Sequence, residues 1–113
     1  MGPGNSASRL ENRVPEPAAN PHFVLASQIL SGLSGLESGL IPPDAVETPY
    51  RSKAKILPKT LGQAIDAFAN GELYAAALGP EFKSYLTRLK TAEWERYLST
   101  LSEWESREYL GVF

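Results

Sequence analysis

Arg9-Leu10-Glu11-Asn12-Arg13-Val14-Pro15-Glu16-Pro17-Ala18-Ala19-Asn20-Pro21-His22-Phe23 is the stretch on which the fold turns. Its first six residues alternate. Arg9, Glu11 and Arg13 fall on one face of a short strand, and Leu10, Asn12 and Val14 on the other. Pro15 and Pro17 end regular pairing, since proline donates no ladder hydrogen bond. Asn20-Pro21 then opens a helix. The asparagine side chain satisfies a free N–H, and proline at the first helical position gives up no needed donor. Neighbouring same-face residues on a strand lie roughly 6–7 Å apart. At that spacing a carboxylate between two guanidiniums can hold a divalent cation beside an anionic group. Arg9 and Arg13 offer paired N–H donors to phosphate or carboxylate oxygens, and Glu11 offers oxygen to Mg²⁺ or Mn²⁺. That set suits phosphoryl transfer. By spacing alone the trio also reads as a solvated charge ladder across a strand.

The helix after Pro21 carries Phe23, Leu25, Ile29, Leu33 and Leu36, interleaved with Ala26, Ser31, Gly32 and Gly35, and Gly39 is its stop. It is apolar over more than one face. Each internal glycine costs about 1 kcal/mol against alanine, so something outside the helix has to compensate. Residues 41–59 form a long loop with Pro42, Pro43, Pro49 and Pro58. Thr60 to Gln63 reads as a capping box opening a helix through Leu61, Ala64, Ile65 and Phe68. Asn70-Gly71 closes it. A short helix over 72–78 ends at Gly79, and Pro80 starts a longer one. That one presents Phe82, Tyr85, Leu86 and Leu89 on one face, continued by Trp94, Tyr97, Leu98 and Leu101. Ser102 to Glu105 is a second capping box before a last short helix toward Tyr109. The fold class is therefore mainly α, with one short N-terminal strand and about five helical segments. The strand has no partner in this sequence, and a lone strand cannot satisfy its backbone groups. With the broadly apolar first helix, it says that the missing partners lie on another stretch of chain.

Composition narrows the function. The 113 residues hold 11 basic and 13 acidic side chains, for a net charge of −2, which argues against a nucleic-acid partner. There is no cysteine, which excludes disulfides, thiol nucleophiles and cysteine-ligated metals. The single histidine, His22, excludes a multi-histidine metal site within the chain and reads as a structural residue of the first helical turn. No run approaches the roughly 18 apolar residues of a membrane span, and the N-terminus has no signal-peptide pattern. A cytoplasmic setting is expected. Residues 1–8 read as a flexible lead-in, in which Met1, Gly2 and Ser6 match a myristoylation pattern only formally. Tyr50, with Arg51, Lys53 and Lys55, reads as a solvated basic loop that can attract phosphate. Trp94, Tyr97 and Trp104 read as an aromatic patch for packing or a subunit contact.

Several stretches together resemble the glutamine synthetase family. Residues 9–23 are similar to its Glu-x-Arg strand, proline-containing turn and Ala-Asn-Pro-Tyr helix start, with His22 in the tyrosine's place. Ser31 to Leu36 stands where the family has a Leu/Ala/Gly-rich helix. The end of the family's chain resembles three further stretches. These are Leu57-Pro58-Lys59-Thr60-Leu61-Gly62-Gln63-Ala64, then Ala77-Leu78-Gly79-Pro80-Glu81-Phe82, then Glu93-Trp94-Glu95-Arg96 with a tail near Trp104-Glu105. The resemblance covers residues 9–113. It implies that these residues are the C-terminal segment of an α+β catalytic domain, an incomplete domain whose remainder lies elsewhere.

What the resemblance implies for function is specific. Glu11 matches a metal ligand for Mg²⁺ or Mn²⁺. Arg13 matches the arginine that contacts glutamate or its γ-glutamyl phosphate, and Arg9 an arginine on the phosphates of ATP. The implied reaction, part of nitrogen metabolism, phosphorylates glutamate with ATP and then admits ammonia or an amine. Asn12, between Glu11 and Arg13, is more like the glutamate–amine ligases of the family, which sets an amine beside ammonia as acceptor. A homo-oligomer is implied, with no nucleic acid or membrane as partner. The segment alone is expected to be inactive. Tyr50 lies near a tyrosine modified in some bacterial members, but its neighbours match poorly and that role is not carried over. The alternative is a non-catalytic helical module, derived from the family, that acts by binding.

Overall fold

The computed structural model describes residues 4, 6–7, 9–51 and 55–112. It divides into two compact units, Met1–Gly39 and Leu40–Phe113. Among the described residues the protein is helical, with no strand and no fully buried side chain.

In the first unit the expected strand over residues 9–14 is not formed. The reason is local. The Val14 N–H donates to Asn12 Oδ1 at 2.9 Å, a side-chain substitute for a ladder bond. No neighbouring strand is present among the described residues to offer a ladder. Glu16 then organises the turn, its backbone carbonyl accepting from Ala19 N–H at 3.0 Å and its carboxylate from Ala18 N–H at 3.0 Å. Helix α1 runs over Pro21–Glu37, with Asn20 Oδ1 accepting from His22 N–H at 2.9 Å. It ends as the sequence predicts. Ser38 N–H donates to the Ser34 carbonyl, and Gly39, at φ +61°, takes the left-handed conformation that closes the turn.

The second unit begins with a loop that includes a single 3-10 turn, Pro49–Arg51, and continues as four helices: α2 (Leu61–Asn70), α3 (Leu73–Leu78), α4 (Pro80–Leu98) and α5 (Glu103–Tyr109). Helices α2 and α3 both pack on α4. Their half-buried side chains include Leu61, Ile65 and Phe68 of α2, Leu73 and Tyr74 of α3, and Phe82, Leu86 and Trp94 of α4. Phe68 stacks on Tyr74 with ring centroids 5.6 Å apart. Lys83 of α4 donates through Nζ to the Gly71 carbonyl at 2.7 Å and so covers the C-terminal end of α2. Gly79, at φ +89°, both ends α3 and precedes α4, a joint that only glycine makes without strain. The long apolar stripe read on α4 is thus divided. Phe82, Leu86 and Trp94 are half-buried, whereas Tyr85, Leu89, Tyr97 and Leu98 are exposed.

The helix starts follow their caps, with one departure. Ser102 and Glu105 make the full reciprocal box at α5. At α2, Thr60 Oγ1 accepts from Gln63 N–H at 3.2 Å, but Gln63 Oε1 accepts from Lys59 N–H rather than from Thr60. The expected box is therefore shifted by one residue on its return arm. No described helix is long and apolar enough to cross a membrane.

Candidate functional site

Arg9, Glu11 and Arg13 come together although the strand expected to align them is absent. Arg13 Nε donates to Glu11 Oε1 at 2.6 Å, and Arg9 Nε lies 4.0 Å from Glu11 Oε2. Each guanidinium thus addresses a different carboxylate oxygen. The arginine side chains are about three-quarters or more exposed and that of Glu11 about half. Water therefore screens these contacts, and their net contribution to stability is small, about 0–1 kcal/mol. Their value is chemical. A guanidinium carries five N–H donors in a planar fork, and the contact from Arg13 to Glu11 engages one at Nε. The trio presents hard carboxylate oxygen and anion-binding N–H groups within a few ångströms of one another.

No group of three or more His, Cys, Asp or Glu side chains among the described residues can hold a metal ion. Glu11 matches the donor chemistry of a hard divalent cation, but as a single ligand. Such a cation would draw its other oxygens from substrate phosphates, water or residues outside this chain.

The other sequence candidates fall apart or stay solitary. The His22 side chain is exposed in the first turn of α1, where its backbone N–H serves the cap. Tyr50 is fully exposed on the 3-10 turn, with Arg51 and Lys55 also exposed, while Lys53 of that basic group lies outside the described residues. Met1 and Gly2 of the myristoylation pattern lie outside them as well. The aromatic side chains form separate pairs. Trp94 stacks on Tyr97 at 5.2 Å within α4, and Trp104 meets Tyr109 edge-on at 6.0 Å within α5. The Trp104–Tyr109 pair was not foreseen, and its spacing of five residues gives no helical signal for it. A shallow depression along α4, lined by Pro80, Glu81, Ser84, Tyr85, Arg88 and Leu89, was also not foreseen.

The family model described as the catalytic domain of glutamine synthetase matches residues 1–109. The chain belongs to the glutamine synthetase family. It is 36% identical, over 121 aligned positions, to the gamma-glutamylanilide synthase of an Acinetobacter species, covering 96% of this chain and 24% of that protein. It is 35% identical over 116 positions to a glutamine synthetase of Mycolicibacterium smegmatis, covering 95% of this chain and 26% of the relative. The glutamine synthetase of Thermus thermophilus is 32% identical over 115 positions, covering 94% and 26%. The chain thus spans about a quarter of the length of the curated relatives it matches. No solved structure gives a significant match. Its relatives place it in a family of ligases, and its mainly helical fold is consistent with the C-terminal part of the family's catalytic domain.

Proposed function

We propose that this chain supplies Arg9, Glu11 and Arg13 to an ATP-dependent ligase that joins glutamate to ammonia or an amine. The observation that carries the reading is the convergence of both guanidiniums on the Glu11 carboxylate, within a segment matched by the family's catalytic domain. In the reaction, the γ-phosphoryl group of ATP passes to the side-chain carboxylate of glutamate. The acceptor nitrogen then attacks the resulting acyl phosphate and expels phosphate. Arg9 holds phosphate oxygens of the nucleotide. Arg13 directs its fork at the glutamyl carboxylate and offsets the charge that builds on the transferring group. Glu11 holds Mg²⁺ or Mn²⁺, which when bound neutralises phosphate charge. With a divalent cation held by Glu11, the Arg13 fork would be directed to substrate rather than to that carboxylate. In the assembled catalytic domain residues 9–14 form the strand whose ladder is absent here.

An amine acceptor stands beside ammonia. Asn12 separates Glu11 from Arg13, and one relative's name specifies a γ-glutamyl anilide, the amide of glutamate with an aromatic amine.

The test is a pair of variants in the complete ligase. Glu11→Ala deletes one oxygen ligand, so activity falls and part of it returns at raised Mg²⁺ or Mn²⁺. Arg13→Ala lowers turnover by roughly 10²–10³-fold, the cost of one positioned electrostatic donor, with no rescue by metal. Arg13→Lys recovers only part, because an ammonium cannot reproduce the fork. Steady-state kinetics titrated against metal separates the two patterns. Unchanged activity in both variants would return the trio to a surface charge ladder. The 113-residue chain alone is expected to form no γ-glutamyl hydroxamate from glutamate, ATP and hydroxylamine.

A further inference from the structure

Asn70 is the only asparagine of the sequence that a glycine follows. In an open chain that pair is chemically labile. The backbone nitrogen after an asparagine attacks the side-chain amide carbon, and glycine, with no Cβ, hinders the approach least. Asn12 precedes the bulky Arg13, and Asn20 precedes Pro21, whose nitrogen has no proton to lose. Asn70 is the exposed last residue of α2, and hydrogen bonds hold the pair out of reactive geometry. The Gly71 N–H is shared between the carbonyls of Ala67 and Phe68, at 3.1 and 3.2 Å. Asn70 Nδ2 donates to the Asp66 carbonyl at 2.8 Å, which turns the side-chain amide back along the helix. From α4, Lys83 Nζ donates to the Gly71 carbonyl at 2.7 Å and pins the residue from outside. To reach Asn70 Cγ, the Gly71 nitrogen has to rotate out of the helical ψ of about −42° and give up its carbonyl partners.

We propose that Asn70–Gly71 is a deamidation site, held unreactive by the C-terminal turn of α2 and by Lys83, and released when that turn opens. The reaction needs only water. The Gly71 nitrogen loses its proton and forms a bond to Asn70 Cγ. The Cγ–Nδ2 bond breaks, and Nδ2 takes up a proton and leaves as ammonia, closing a succinimide. Water then opens the ring. Addition at Cγ gives aspartate, and addition at the Asn70 main-chain carbonyl gives isoaspartate. Either product places a carboxylate at the C-terminus of α2, where the helix dipole disfavours negative charge. Neither carboxylate can donate to the Asp66 carbonyl as Asn70 does. Isoaspartate also runs the main chain through Cβ and Cγ at the joint between α2 and α3, both of which pack on α4. The change is permanent, so a transient opening of one turn becomes a lasting loosening of the helical unit. The ligase reading has no part in this chemistry.

The test is incubation of the purified 113-residue chain at mildly alkaline pH, with and without guanidinium chloride. Mass spectrometry follows the tryptic peptide that begins at Thr60, whose only asparagine is Asn70. Isoaspartate is counted by methyl transfer from labelled S-adenosylmethionine with an isoaspartyl methyltransferase. Native chain is expected to react slower than denatured chain by about tenfold or more, since reaction waits on local opening. Lys83→Met removes the charged donor to the Gly71 carbonyl and should speed the native reaction roughly tenfold. Lys83→Arg keeps a donor and should stay nearer the unsubstituted rate. In denaturant all three chains should react alike, because no turn is left to release. Equal rates for the native and denatured unsubstituted chain would overturn the inference, and that comparison decides even if Lys83→Met unfolds. A folded Lys83→Met chain that reacts no faster would overturn the part assigned to Lys83, and denatured chain that leaves Asn70 intact would overturn the site itself.

Discussion

The two units hold their helices by different means. In residues 40–113, α2 and α3 lie against α4, and the contacts reach between elements: Phe68 on Tyr74, Lys83 on the Gly71 carbonyl, Gly62 under Trp94. In residues 9–39 the hydrogen bonds shown are all local, between residues two to four apart. The chemistry sits in the first of these units, at residues 9–13. The difference teaches that a side-chain constellation and a stable scaffold need not be encoded in the same stretch of chain. Arg9, Glu11 and Arg13 are in place as sequence, but the framework that would fix them is not.

Paired glycine substitutions test the contrast most severely. A Cβ on Gly62 would lie 2.8 Å from Trp94 Nε1 and 3.0 Å from Cε2. The indole cannot simply step aside, being half-buried and stacked on Tyr97. Gly62→Ala should therefore cost about 1–3 kcal/mol by overpacking, despite the helix propensity of alanine. A Cβ on Gly32 of α1 meets nothing within 4 Å. Gly32→Ala should instead raise helicity, by up to about 1 kcal/mol. Thermal melts and circular dichroism of the two variants are expected to shift in opposite directions. Shifts of the same sign would mean that both helices are packed, or that neither is.

Caps make the next, smaller test, because they act alike in both units. Ser102→Ala removes the oxygen that accepts from Glu105 N–H at 3.1 Å and should cost α5 about 1 kcal/mol. Asn20→Ala removes the corresponding bond to His22 N–H and should cost α1 a similar amount. The consequence differs with what lies beyond the cap. Hydrogen exchange should show α5 fraying from its first turn, whereas in α1, with its internal glycines Gly32 and Gly35, protection should fall along the whole helix. Uniform local fraying in both would show that α1 has tertiary support.

Those caps are also what the sequence made most legible. Asn20-Pro21, Gly39, Gly79-Pro80 and the Ser102–Glu105 box act over a few residues, so residue type and spacing suffice to read them. What escaped reading depends on distant or absent chain. The strand over 9–14 needs a neighbour, and without one Asn12 captures the Val14 N–H. Gly62 reads as a weak helix residue until Trp94 is seen above it. The shifted return bond of Gln63 turns on the position of the Lys59 backbone, which no side-chain pattern specifies. Within the site, the spacing of Arg9, Glu11 and Arg13 was legible from alternation and the structure does gather them. Their separate roles came from the family resemblance and stand on the kinetic test.

The smallest effect expected is one of pH, and it separates a carboxylate that caps from one that decorates. The backbone N–H of Ser102 donates to Glu105 Oε2 at 2.8 Å and, with the Ser102 side chain, holds the Glu105 carboxyl below its ordinary range. Glu93 is lowered as well, chiefly by its hydrogen bond from Lys90 Nζ at 2.7 Å. Both groups favour the charged form when folded. Each therefore contributes stability above the ordinary carboxylate range, and that contribution is lost as pH falls through the lowered folded value. Both carboxylates are solvent-facing, so the effects are small and weaken in salt. Their structural readouts differ. Protonating Glu93 undoes one ion pair on α4, which α2 and α3 still hold in place. Protonating Glu105 opens the box at the start of a seven-residue helix that depends on it. Acid titration followed by amide exchange should loosen α5 while α4 stays protected. Glu105→Gln keeps an acceptor for the Ser102 N–H and removes the charge, so it should flatten the pH dependence of α5 alone. If α5 loosens over the same pH interval in that variant, the charge of Glu105 is not the cause, and another acidic group carries the pH dependence.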